Sequence, residues 1–272
     1  MEVDSVIEKS IKSDRGQVFY WIIENWSEQK ETLLFLHGLT ANHTMFEKQI
    51  AFFKSEYNII VWDAPGHGKS RLYEDFSFAN AVEGIKHILD ENGVKRVVML
   101  GQSLGGYFIQ SFIQRYPEYV TAFVGIDTSP YGEGYYSSLD KWILGQVEWM
   151  AKLYPFSIMK EAIVRQSTAT EAGRQNMREM LALYDKKELC HLMGICYAEV
   201  LKENKNMQIE CPVLLLLGER DKIGKVKQYC KKWTEKTGYS LYMIKNAGHN
   251  SNVDNPDEVN QRIKEFLERC GH

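Results

Sequence analysis

No run of about 18 consecutive apolar residues occurs in the 272-residue chain, so no membrane-spanning helix is expected. The first residues, MEVDSVIEKSIKSDRG, alternate apolar and polar types. They lack the continuous apolar stretch of a secretory leader, and the resulting expectation is cytoplasmic residence. Cysteine is sparse and odd in number: Cys190, Cys196, Cys211, Cys230 and Cys270. None of these lie at CxxC spacing, which argues against a disulfide framework or a zinc site, and no metal is expected. A strong charge of either sign is also missing. Lys plus Arg total 33 against 36 Asp plus Glu, a formal net charge of -3. Such a balance gives no electrostatic reason to bind nucleic acid or an anionic membrane. Internal repeats and low-complexity segments are absent as well.

What is present is an alternation of strand and helix signals. Ser5 to Lys12 and Gln17 to Glu24 are rich in β-branched and aromatic residues, with Asp14-Arg15-Gly16 as a hairpin turn between them. Short, nearly continuous apolar runs follow at Thr32 to Leu36, Asn58 to Trp62, Arg96 to Leu100, Val120 to Ile126, Val213 to Leu217 and Leu241 to Ile244. Strands buried on both faces read this way. Between them, Phe78 to Leu89, Leu104 to Tyr116 and Pro256 to Leu267 carry helical spacing. The pattern predicts an α/β fold: a mostly parallel central sheet with helices on both faces. From Ser129 to Met207 no strand signal appears, and the periodicity is helical. Residues 129–207 are therefore expected to form a helical insertion in a core made of 1–128 and 208–272.

The most informative segment is Arg96-Val97-Val98-Met99-Leu100-Gly101-Gln102-Ser103-Leu104-Gly105-Gly106. It sets G-x-S-x-G between a strand and a helix. A nucleophilic serine on so sharp a turn needs glycines where side chains would collide across it. The helix that begins at Leu104 aims free N–H groups and its dipole at charge developing on the serine. Ser103 is the expected nucleophile.

With this elbow the chain resembles the α/β-hydrolase family, over about residues 30 to 270 apart from the insertion. That family orders its triad nucleophile, acid, histidine along the chain. Val213 to Leu217, then Gly218-Glu219-Arg220-Asp221, looks like the family's G-x-x-D acid motif, and the resemblance makes Asp221 the acid. Asn246-Ala247-Gly248-His249 is similar to the family's A-G-H loop and makes His249 the base. Asp127, just after the strand Val120 to Ile126, is a competing position for the acid, since some members take it from there. Phe35-Leu36-His37-Gly38-Leu39 resembles the family's H-G segment. It implies that the N–H groups of Leu39 and Leu104 form the oxyanion hole, with His37 structural. Asp63-Ala64-Pro65-Gly66-His67-Gly68-Lys69-Ser70 looks like the family's D-x-P-G-x-G-x-S turn and is read as scaffold.

In such proteins the insertion walls the substrate pocket. Its many aromatics suit an apolar, small-molecule ester. Gln102 and Tyr131 are the candidate substrate-binding residues. Arg165 and Arg174 are noted as side chains able to hold a substrate carboxylate. The leading expectation is a cofactor-independent hydrolase of small or medium carboxylic esters, acting through an acyl-enzyme on Ser103. A carbon–carbon bond hydrolase or lyase on the same triad is the alternative, together with a triad-bearing ligand receptor.

Overall fold

The computed structural model describes residues 6–272. Eight strands form one sheet: β1 (Val6–Ser13), β2 (Gly16–Ile23), β3 (Thr32–Leu36), β4 (Asn58–Trp62), β5 (Val97–Gln102), β6 (Val120–Ile126), β7 (Val213–Gly218) and β8 (Ser240–Ile244). Ser5, expected to begin the first strand, lies outside the described residues. The order across the sheet is β1-β2-β4-β3-β5-β6-β7-β8. β1 and β2 pair antiparallel, as do β2 and β4, and every later pairing is parallel.

Helices fill the connections: α1 (Glu47–Phe53), α2 (Phe78–Glu91), α3 (Leu104–Arg115), α9 (Val226–Thr237), α10 (Ser251–Asp254) and α11 (Pro256–Cys270). Between β6 and β7 the chain runs through α4 (Ser138–Gly145), α5 (Val147–Leu153), α6 (Phe156–Ser167), α7 (Glu171–Leu181) and α8 (Lys186–Glu203), with no strand among them. Every residue of β3, β4, β5 and β7 is buried. Two helix groups supply that cover: α2 packs with α3, which lies on β3, β5 and β6, while α1 packs with α11, which lies on β7 and β8. A parallel strand has no polar face to show water, so the continuous apolar runs are explained by this double cover.

One strand departs from that pattern. Leu241 to Ile244 was expected to be buried on both faces, but β8 is the outer edge of the sheet, and only Ile244 is buried. An edge strand lacks a neighbour on one side, which leaves Ser240 and Met243 open to solvent. The five cysteines are free thiols.

The strand order fixes where chemistry can occur. After β3 the chain moves through α1 to β4 on one side. After α2 it returns to β5 on the other side of β3. The loops leaving β3 and β5 therefore diverge, opening a crevice at the carboxyl ends of the strands. The turns after β6, β7 and β8 open at the same edge.

Candidate active site

Ser103 stands between β5 and α3 with φ 49° and ψ -111°, a conformation that non-glycine residues rarely adopt. Neighbouring glycines and hydrogen bonds hold it there. A Cβ on Gly105 would run into the carbonyl oxygen of Leu36, and one on Gly101 into the backbone of Gly105. Ser103 N–H donates to the Ile126 carbonyl at 2.8 Å, and its own carbonyl accepts from Thr128 Oγ1 at 2.7 Å. The strain is thus offset by contacts with β6 and the turn after it.

The structure brings Ser103, His249 and Asp221 into one chain of contacts. His249 Nε2 lies 2.8 Å from Ser103 Oγ, and His249 Nδ1 lies 2.8 Å from Asp221 Oδ2. Asp221 Oδ1 accepts from the Ile223 N–H at 2.8 Å, which fixes the rotamer of the carboxylate. Both His249 and Asp221 are buried. Burial favours the neutral imidazole, but the charge and hydrogen bond of Asp221, with Asp127 behind it, outweigh that and hold the His249 pKa above its ordinary value.

Asp127 is the competing acid, and its contacts differ. It sits at φ 48° and is fully buried. Its carboxylate accepts the Gly218 N–H at 2.6 Å and the Ser251 N–H at 3.0 Å. It therefore ties the end of β7 to the loop that carries His249, and the imidazole nitrogen is bonded to Asp221. Burial, helped by the nearby Asp221 charge, pushes the Asp127 carboxyl up to about 7, while the two amide hydrogen bonds pull the other way.

Leu104 opens α3, so its N–H belongs to the first helical turn and has no intrahelical acceptor. Leu39 lines the cavity at Ser103. The next residue, Thr40, holds φ 64°. A β-branched residue in that region is strained, and no local pattern announces it. His37 packs beneath this loop: Nδ1 donates to the Gly38 carbonyl at 2.8 Å, and Nε2 accepts the Ala64 N–H at 2.9 Å. Burial pushes its pKa down to about 4, so the ring stays neutral and acts as a strut. Asp63 accepts the backbone N–H groups of His43 and Lys69, and Ser70 Oγ donates to the Asp63 carbonyl. Those bonds shape the loop after β4.

Gln102 lines the cavity, yet its Nε2 is committed to the His249 carbonyl at 2.7 Å and to Asn250 Oδ1 at 3.3 Å. It braces the histidine loop. Tyr131 is not among the residues that line this cavity. Its hydroxyl meets Ser111 Oγ at 2.9 Å and its backbone N–H donates to Gln110 Oε1, so the ring is packed against α3. It lines a different hollow, near Trp233 and Tyr239. Arg165 pairs with Glu161 and Arg174 with Glu171, and neither reaches the cavity.

The cavity measures about 100 Å³. Leu39, Ala41 and Ile223 wall it from the sheet side, and Ile163, Met177, Met193 and Tyr197 from α6, α7 and α8. Helical Met and Ile residues read equally well as core, so no sequence signal singled these out. Asp254 was also missed. Its carboxylate accepts the N–H groups of Ala169, Thr170 and Gly248, joining the five-helix segment to the histidine loop.

The fold and the elbow define a class: a model of the alpha/beta hydrolase fold matches residues 31–256. The chain belongs to the α/β-hydrolase family. Carboxylesterase YbfK of Bacillus subtilis (strain 168) is 27% identical over 270 residues, covering 92% of this chain and 84% of the relative. Epoxide hydrolase 4 of Mus musculus is 26% identical over 286 residues, covering 93% and 77%. Among solved structures, the hydrolase MGS-M2 from a Medee basin deep-sea metagenome library superposes with a TM-score of 0.79 at 16% identity, over 96% of this chain and 97% of that one.

Proposed function

We propose that this protein hydrolyses small or medium carboxylic esters through an acyl-enzyme on Ser103, with His249 as general base and Asp221 as the orienting acid. One observation carries the reading: the unbroken series from Asp221 Oδ2 through the imidazole to Ser103 Oγ, each step 2.8 Å. In this mechanism His249 takes the serine proton as Oγ attacks the carbonyl carbon. The N–H groups of Leu39 and Leu104 receive the oxyanion. The imidazolium, stabilised by Asp221, returns the proton to the leaving alcohol, and water repeats the sequence on the acyl-enzyme.

The relatives named above include an epoxide hydrolase as well as a carboxylesterase. The residue at the elbow favours the ester. Serine attack on an epoxide would leave an ether, which water at the same site has no carbonyl to attack, whereas serine attack on an ester leaves another ester. The carbon–carbon hydrolase alternative calls for a cationic side chain toward a substrate carboxylate. Neither Arg165 nor Arg174 lines the cavity, which removes the feature that would favour it.

We read the five-helix segment as the cap that selects substrate. At about 100 Å³ the cavity is well below the roughly 300–1,000 Å³ of pockets for drug-sized ligands, which favours a short acyl group. Burial holds the Tyr197 phenol up to about 12, so it offers a neutral hydroxyl. Turnover of p-nitrophenyl acetate and butyrate, with fluorophosphonate labelling of Ser103, tests the proposal. A protein that folds, releases no nitrophenol from either ester and takes no label would instead be a ligand receptor.

A further inference from the structure

Among the described residues, seven of the twelve exposed large hydrophobic side chains lie within residues 139–158, on the first three helices of the cap. On α4, Leu139, Trp142 and Ile143 fall at i, i+3 and i+4 and face outward together. On α5 and just beyond it, Trp149, Leu153 and Tyr154 are also exposed, the first two at i and i+4. Ile158 extends the face onto α6. Leu139, Trp142, Trp149, Leu153, Tyr154 and Ile158 expose from 56% to 65% of their surface. Scattered exposed leucines need no explanation, but seven large apolar side chains within residues 139–158 do. Both α4 and α5 rest on α8, so the patch is backed by a packed helix.

On α4, α5 and α6 the charged side chains left without an opposite partner among the described residues are lysines. Lys141 has no acidic partner among the described residues, and the recorded contact of the Lys160 head is the Phe156 ring at 4.4 Å. Lys186 donates to the Lys152 carbonyl and stands at the same edge. The acids nearby are already neutralised: Asp140 is bonded to Lys225, and Glu148 to Lys152. A chain with a formal net charge of -3 thus keeps spare cations at its apolar face.

From this combination we infer that the α4–α5–α6 face docks on an anionic lipid surface, with the tryptophans and leucines entering the headgroup boundary and the lysines meeting lipid phosphates. Tryptophan, leucine and tyrosine rimmed by lysine are what such a boundary accommodates. Charge excludes the second copy of this chain as the occupant. A symmetric pairing through this face would bring Lys141 and Lys160 of both copies into one interface. No helix among the described residues is long and apolar enough to cross a membrane, so the contact is peripheral. Bulk charge had given no reason to expect a membrane. The reason is local, and it does not depend on which bond the site cleaves.

The test is co-sedimentation of the full chain with vesicles of phosphatidylcholine containing phosphatidylglycerol, compared with phosphatidylcholine alone. The chain sediments with the anionic vesicles, less so at high salt, and the Trp142/Trp149 emission shifts to the blue. Lys141→Ala and Lys160→Ala each weaken partitioning by about fivefold. Trp142→Ala/Trp149→Ala/Leu153→Ala abolishes it while circular dichroism and melting stay those of the parent. Should that triple variant fail to fold, the two lysine variants carry the test alone. Three results overturn the inference: no sedimentation at any phosphatidylglycerol content, sedimentation indifferent to all of these variants, or a dimer in ultracentrifugation that the patch variants dissociate.

Discussion

Asp221 and Asp127 both lie buried near His249, and replacing each by asparagine separates their roles. In Asp221→Asn the amide keeps the shape but changes the hydrogen bond to His249 Nδ1, now 2.8 Å from a carboxylate oxygen. An amide N–H facing Nδ1 forces the tautomer that presents Nε2–H to Ser103, so the base has no lone pair where it needs one. A change of this kind costs on the order of 10⁴ in kcat. In Asp127→Asn the imidazole keeps Asp221. One of the two amide bonds, to Gly218 N–H or Ser251 N–H, is lost because the side-chain NH₂ meets a donor. That lowers stability by about 1–3 kcal/mol, with kcat held within about tenfold. The pH profile adds a second sign. The Asp127 charge raises the His249 pKa, and activity requires neutral His249. In the parent, kcat/KM falls as pH drops through a value above the ordinary 6.5 of histidine. Asp127, its own carboxyl raised to about 7, is only partly ionised over that limb, so its removal moves the limb to lower pH by less than a full charge would. The assay is kcat/KM for p-nitrophenyl butyrate from pH 5 to 9 (a range of about two units each side of neutrality), with circular dichroism on each variant. Near-parental turnover in Asp221→Asn, with a 10⁴ loss in folded Asp127→Asn, would refute the assignment and make Asp127 the acid.

Other outcomes follow from the same contacts. Ser103→Ala should lower kcat on the order of 10⁶-fold and abolish fluorophosphonate labelling, while leaving the melting curve intact. Met193→Ala, which opens the cavity wall on α8, should raise turnover of p-nitrophenyl octanoate relative to acetate, and an unchanged chain-length profile would argue against this wall as the acyl site. Gly105→Ala should not yield soluble protein with parental stability, because its methyl meets the Leu36 carbonyl in the tightest part of the elbow. Asp254→Ala should lower kcat and raise KM together, since it removes one of the two ties between the cap and the histidine loop, and steady-state kinetics on a short ester decide it.

The parts of the fold written in local periodicity were legible. All eight strands and the three helices read from spacing fall within three residues of where the apolar runs put them, the widest miss being the C-terminal end of α11. Periodicity carries no record of a strand's place in the sheet, and β8 was therefore expected to be buried when it is the edge. The same limit explains the site. Gly101 lies near the end of β5, Gly105 in the first turn of α3, and Asp221 and His249 in short turns after β7 and β8, so spacing from the strand fixes each position. The pocket wall is different. Ile163, Met177, Met193 and Tyr197 come from three helices whose mutual packing no local pattern encodes. Tyr131 illustrates the error this invites: being near Asp127 in sequence suggested the pocket, but its hydroxyl is held by Ser111 on α3.

The three side chains of the triad come from turns after β5, β7 and β8, and 2.8 Å contacts between separate turns require something to hold the turns together. Side chains bonded to backbone do it here. Gln102, at the end of β5, holds the His249 carbonyl. Asp127, at the end of β6, holds the end of β7 and the Ser251 N–H. Asp254 holds Gly248 on one side and Ala169 and Thr170 of the cap on the other. The histidine loop is therefore fixed from three directions, and one of the three is the cap. The Asn250 N–H, bonded to the Ser167 carbonyl at the end of α6, adds a second tie to that element. Displacement of α6 would consequently pull on both neighbours of His249, Gly248 through Asp254 and Asn250 directly. If a lipid surface engages the outer face of α4 to α6, the mechanical link from that face to the base already exists, and vesicles should alter kcat on a short soluble ester in the parent and less so in Asp254→Ala, which keeps only the Asn250 tie.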